Sequence, residues 1–132
     1  MQLVREVFMF CDIHAHSRLR NLFIFGCNNN YNKKCKMQER VFPLMFHKQC
    51  EHFFYDNCRF DYPHNGEKDG TGRITVRKEF GIVNSFTLEC SVCGPSRGSL
   101  KGYHFNIQIL KSMGSDFCRT LHDLALDYKK VN

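Results

Sequence analysis

Cys11-Asp12-Ile13-His14-Ala15-His16-Ser17-Arg18 closes a run of strand character, Leu3 to Phe10. An apolar strand ending in Asp-x-His-x-His-Ser delivers polar, metal-competent side chains to one rim of a sheet. In open α/β sheets, ligands bind outside the carboxyl ends of the strands. His14 is the candidate metal ligand. The two histidines are expected to point to opposite sides, one as ligand and one as pocket neighbour. Asp12 is a candidate acceptor that would orient a ligating imidazole. Taken alone, His-x-His is a weak signal that more often marks a pair of structural or surface histidines.

Glu89 lies inside the apolar run Phe86-Thr87-Leu88-Glu89-Cys90. A carboxylate there is costly unless it is paired or opens to solvent at a strand end. Desolvation would raise its pKa towards the range useful in general acid–base work. The plainer alternative is a strand-end glutamate facing water. Cys90-Ser91-Val92-Cys93 is a lone Cys-x-x-Cys. A structural zinc site wants a second pair, and Gly94-Pro95 argues against the helix a redox motif would need. Arg73 and Arg77 stand out among scattered arginines because their segment leads towards Glu89. A basic group near a catalytic carboxylate would favour an acidic substrate side chain.

The elements that must position these residues follow from the apolar pattern. Residues 3–13 read as a buried strand, with a rim loop from His14 to Arg20. Residues 21–26 form a strand or the start of a helix, and 27–34 an exposed polar loop. Glu39 to His52 reads as a short helix with Pro43 near its first turn. Residues 53–60 are ambiguous, and 61–72 form a glycine-bearing surface loop. Alternation at Arg73-Ile74-Thr75-Val76-Arg77 predicts a strand, as does Asn84 to Ser91. The clearest helix is C-terminal, with Leu110, Met113, Phe117, Leu121, Leu124 and Tyr128 at helical spacing and Asn106 or Ser112 as a cap.

Composition narrows the classes. The 132 residues suit one compact domain or part of a larger one, and 42% hydrophobic content allows a core. No apolar run approaches ~18 residues, so no membrane span is expected, and no export signal is evident at the N-terminus. The eight cysteines read as free, mostly buried thiols of a reducing compartment. The net charge of +6 implies an acidic partner. A Cys/His module for nucleic acid would need two ligand pairs at finger or ribbon spacing, and these are absent.

Cys11 to Arg18 followed by Asn21-Leu22-Phe23-Ile24-Phe25-Gly26-Cys27 resembles the Asp-Leu-His-Gly-His-Ser-Arg segment of the cytosolic carboxypeptidases. These are zinc metallocarboxypeptidases, many of them tubulin deglutamylases. The similarity runs on through Arg40 to Met45, Asp56 to Phe60 and Gly70 to Arg73. It is firmest from Gly81 to Gly94, and ends with His104-Phe105-Asn106 and the helix around Met113-Gly114. It covers nearly the whole chain in order. Two small-for-small departures are Ala15, where the family usually has Gly, and Cys90, where it usually has Ala.

The resemblance implies an α/β fold, the C-terminal part of a zinc-carboxypeptidase-like mixed sheet flanked by helices, with residues 1–132 forming a partial catalytic domain. It implies that His14 is one of three zinc ligands. It implies that Glu89 is the catalytic glutamate, activating the attacking water and passing its proton to the leaving amine. Arg73 or Arg77 would receive a C-terminal or branch-point glutamate side chain, with His16 as a pocket neighbour. The expected partners are acidic protein tails, such as polyglutamylated tubulin, in the cytoplasm, with no nucleic acid and no membrane. The family's other two zinc ligands lie in a His-x-x-Glu motif upstream, and the chain is expected to hold no His-x-x-Glu. The chain alone is therefore expected to bind zinc weakly and to be inactive. The alternative is a non-catalytic remnant that binds acidic tails.

Overall fold

The computed structural model describes residues 6–30, 32–60 and 70–131, with side chains to residue 128. Among the described residues three strands form one mixed sheet in the order β1-β3-β2: β1 Met9–His16, β2 Leu22–Gly26 and β3 Asn84–Ser91. The central strand β3 pairs in parallel with β1 and antiparallel with β2. Its side chains are mostly buried on both faces, which is why its sequence is a nearly continuous apolar and neutral run. Helix α1 is Val41–Gln49, α2 is Gly72–Phe80 and α3 is Ile107–Val131.

The helices divide between the two faces. Phe86, Leu88, Leu22 and Ile24 face α1 and α3. There Phe42 stacks near Phe86 at 5.9 Å between ring centroids and meets Phe117 edge-on at 5.3 Å. Phe46 lies 4.6 Å from Phe53. Phe42, Phe46, Phe53 and Phe86 are essentially inaccessible to solvent, and burying each contributes roughly 1.5–3 kcal/mol. The opposite face carries Asp12, His14 and His16 of β1, Thr87, Glu89 and Ser91 of β3, and Phe23 and Phe25 of β2. Helix α2 covers the lower part of that face: Ser85 Oγ donates to the Arg73 carbonyl at 2.7 Å.

Asn84 to Ser91 is a strand as expected, residues 21–26 resolve to β2, and the C-terminal helix forms with Asn106 Oδ1 accepting from Ile109 N at 2.9 Å. Pro43 sits in the first turn of α1, where its missing N–H removes no helical bond.

Three expectations are corrected. Arg73 to Arg77 is helical, not extended. Five alternating residues cannot fix a period, whereas the punctuation can: Thr71 is extended before the first turn, and Gly81 closes α2 at φ 70 in the left-handed region. The first strand begins at Met9, runs on through His16 instead of yielding to a loop at His14, and is an edge rather than a buried element, with Ile13 66% exposed. The expected strand residues 3–5 and the loop residues 61–69 lie outside the described residues.

The third correction concerns residues 27–34, whose described members make turns but are not all exposed: Cys27 and Asn29 are fully buried. Asn29 Nδ2 donates to Glu39 Oε2 at 2.9 Å. Glu39 Oε1 also lies 3.5 Å from Arg40 Nε, and the Arg40 guanidinium sits over the Phe60 ring at 4.6 Å. A buried carboxylate is held here by an amide and a guanidinium, which is why polar residues leave the surface.

Candidate functional site

Parallel pairing in this register makes His14 and Glu89 direct cross-strand partners, with His16 opposite Ser91 and Asp12 opposite Thr87. Neighbouring strands lie about 4.8 Å apart, so the two residues adjoin on one face near the carboxyl ends of both strands. Phe23 of β2 lies on the other side of Glu89 in the same row. The expected divergence of the two histidines is wrong. Residues two apart on a strand share a face, and both imidazoles stand on the face of Glu89.

What separates the histidines is their hydrogen bonding. His14 Nε2 lies 2.9 Å from Asp12 Oδ2, and about half of the His14 side-chain surface is open to solvent. His16 Nδ1 instead accepts from the backbone N–H of Arg18 at 3.1 Å and of Leu19 at 3.0 Å, tying down the turn after β1. Its ring packs edge-on against Phe23 at 5.0 Å. The described residues therefore place His14 as an open donor and His16 as a wall.

Glu89 is buried, 8% exposed, between that row and the covered lower face. Below it, Arg73 Nη1 donates to Thr87 Oγ1 at 3.2 Å, and the guanidinium lies 5.5 Å from the centre of the Phe25 ring. Burial pulls the Arg73 pKa down, opposed by the charges of Cys27 and Glu89. Arg73 Nε is buried without a hydrogen-bond partner among the described residues. Arg77, one turn further along α2, sends Nη1 to the Gly81 carbonyl at 2.7 Å, at the helix end remote from the rim. The structure thus brings Arg73 to the face of Glu89 and engages Arg77 in closing α2. Thr87 and Phe25 escaped sequence reading, although alternation from Glu89 along β3 places Thr87 on the site face.

The rim beyond the strands is pinned by backbone contacts. Val92 N donates to the His16 carbonyl at 3.0 Å and Asn21 N to the Gly94 carbonyl at 3.1 Å. Asn21, buried in the left-handed region at φ 74, bonds Ser96 through its side chain. Cys90 and Cys93 are free thiols. Among the described residues no group of three or more His, Cys, Asp or Glu side chains could hold a metal ion. A His-x-x-Glu does occur at His64-Asn65-Gly66-Glu67, but it follows His14 in the chain and lies outside the described residues. A cavity of about 760 Å³, lined by Phe8, Phe10, Val76, Phe80, Ile82 and Tyr128 among others, opens at the opposite end of β1, away from this chemistry.

The fold is a segment of a metallocarboxypeptidase fold. A metallo-carboxypeptidase from Burkholderia cenocepacia superposes with a TM-score of 0.70 at 18% identity, over 88% of this chain and 30% of that one. In sequence, the chain is 44% identical to mouse cytosolic carboxypeptidase 3 over 123 residues. It is 45% identical to cytosolic carboxypeptidase 2 of Xenopus tropicalis over 120 residues, and 44% identical to the human one over 122. Over nearly its whole length the chain is therefore similar to one segment of the cytosolic carboxypeptidases. These alignments cover 90–92% of the chain but only 12–13% of the relatives' own length. No protein-family model matches the chain. Among the described residues no helix is long and apolar enough to cross a membrane.

Proposed function

We propose that this chain is part of a zinc metallocarboxypeptidase of the cytosolic type, acting in the cytoplasm, that removes C-terminal or side-chain glutamates from proteins such as tubulin. The observation that carries the reading is His14 beside Glu89 on one open rim, within a segment matching carboxypeptidases in sequence. His14 fits a zinc ligand: its ring is half exposed, and its only hydrogen-bond partner among the described residues is Asp12. Catalytic zinc takes three protein ligands. His14 supplies one, and the other two come from a longer polypeptide. A zinc ion held in part by His14 would supply Lewis-acid chemistry, polarising a carbonyl and lowering the pKa of water.

Glu89 takes the proton of the attacking water on a carboxylate oxygen and returns it to the leaving amine. Phe23 and the underlying sheet keep bulk water from its inner side. His16 forms the wall of the pocket. Arg73, on the same face, favours an acidic substrate side chain, and the net charge of +6 favours acidic protein tails generally. Polyglutamylated tails fit this electrostatic profile; nucleic acid and membrane play no part in the reading. The 132-residue chain by itself hydrolyses nothing and binds zinc weakly.

The test is zinc content and glutamate release from a polypeptide extended by the upstream residues of the relatives. Stoichiometric zinc and release that vanishes in Glu89→Gln, with zinc retained, support the reading. Unchanged release in Glu89→Gln removes Glu89 from its role. Hydrolysis by the 132-residue chain that His14→Ala abolishes would overturn its proposed inactivity.

A further inference from the structure

Asn21, just before β2, is 3% exposed, and its backbone lies in the left-handed region at φ 74. Apart from glycine, asparagine is among the few residues that enter that region readily. A buried residue persists there only where its surroundings over-determine it. Among the described residues its hydrogen bonds all run to one stretch, the residues just past Glu89. The Asn21 carbonyl accepts from Ser91 N at 3.0 Å, and Asn21 N donates to the Gly94 carbonyl at 3.1 Å. The side chain adds Ser96: Oδ1 accepts from Ser96 N at 2.8 Å, and Nδ2 donates to Ser96 Oγ at 2.9 Å. Arg20 reinforces the tie, its Nη1 donating to the Cys93 carbonyl at 2.9 Å.

Glu89 sits two residues before the end of β3, and the ends of elements open locally at little cost. Burial restrains the Glu89 side chain; the backbone that carries it needs a separate support. Pairing with β2 stops at Leu22 opposite Cys90, and the next bond on that side is the one from Ser91 N to Asn21. We propose that Asn21 is a positioning residue: its side chain clamps Ser96 and so keeps the carboxyl end of β3 from fraying at Glu89. The kinetic part of this inference rests on the function proposed above; the clamp does not. A general base acts within a narrow geometry, and a displacement of about 1 Å costs roughly a hundredfold in rate. Asparagine supplies both the left-handed turn and the amide that grips Ser96, whereas glycine supplies the turn alone.

Asn21→Gly therefore separates the clamp from the turn. Hydrogen exchange on the 132-residue chain reads the clamp. Val92 N bonds the His16 carbonyl and not Asn21, so it reports fraying and not the deleted contact. In Asn21→Gly its exchange should quicken by about tenfold or more relative to the amides of α3; an unchanged rate overturns the clamp. Ser96→Ala keeps the N–H that Oδ1 accepts, and should hold Val92 exchange within about threefold of the wild type. A loss as large as that in Asn21→Gly overturns the role given to Oδ1. In the polypeptide extended by the upstream residues of the relatives, Asn21→Gly should lower kcat for glutamate release, per bound zinc, by about tenfold, with KM held within about twofold. A raised KM with kcat kept, or a fall in zinc content alone, overturns the positioning role. No release from the wild-type extended polypeptide counts against the proposed function instead, and Val92 exchange then decides the clamp.

Discussion

His14 and Glu89 face each other across the β1–β3 ladder, and each depends on a different support. Asp12 orients His14, while burial between Phe23 and the lower face fixes Glu89. The two can therefore be separated experimentally. In the extended polypeptide, Glu89→Gln should lower kcat for glutamate release by at least about a hundredfold, the usual lower bound for a lost general base, with zinc content unchanged. His14→Ala should lower zinc content itself, measured by atomic absorption after gel filtration.

Arg73 differs from Arg77 in what it faces. Arg73→Met keeps much of the length and loses the charge. The preference for a C-terminal glutamate over glutamine should fall by about tenfold or more, the worth of a charge-assisted hydrogen bond. The effect should appear mainly in KM. The same substitution in Arg77, whose Nη1 serves the Gly81 carbonyl, should leave that preference within about threefold, reflecting its position away from the rim. Competition between paired peptide substrates measures both.

Asn29→Ala should destabilise the fold by about 2–3 kcal/mol, because it strips a donor from the fully buried Glu39 carboxylate. Urea denaturation of wild-type and variant checks it. The double substitution Asn29→Ala, Glu39→Gln should recover part of the loss, since the uncompensated charge is then gone.

Gly94 occupies the left-handed region at φ 77, and a Cβ there would collide with the Tyr103 carbonyl oxygen. Gly94→Ala should cost more than about 1 kcal/mol. It should also loosen the rim, where the Gly94 carbonyl accepts from Asn21 N. Hydrogen exchange at Asn21 and Ser91 should quicken more than exchange in α3.

Burial pushes Cys58 up to about 12, and Cys11 and Cys50 up to about 11. Because these thiols hold their protons more tightly folded than unfolded, their contribution to stability is intact below about pH 9. It declines as pH rises from there through about 11 to 12. Urea midpoints between pH 7 and 11 should fall only at the upper end. At pH 8, Cys118, the exposed thiol, should react first with a thiol reagent.

The strand around Glu89 was legible because a central strand buries both faces, and such burial demands an unbroken apolar run. The long C-terminal helix was legible because 25 residues give several turns of periodicity. Helix α2 was not: Arg73 and Arg77 sit four apart, which suits a helix face, but over five residues the same letters alternate like a strand. The error mattered, since a helix carries Arg73 onto the Thr87 face while engaging Arg77 at the Gly81 end. Nor could the sequence show that Asn29 is buried, because the stabilising partner, Glu39, sits ten residues away. The pairing of His14 with Glu89 needed a register that only the parallel ladder supplies.

That ladder has a kinetic consequence. Parallel neighbours cannot be joined by a tight turn, and the crossover between His14 and Glu89 contains β2, α1 and α2. The rim therefore forms only after a long-range closure, the kind of contact that slows folding. Because β1 is an edge strand, with no second strand bonded to it among the described residues, its release from β3 is a local opening that would part His14 from Glu89 while the α1–α3 core stays closed. Survival of the site and survival of the fold are thus separate quantities in this chain.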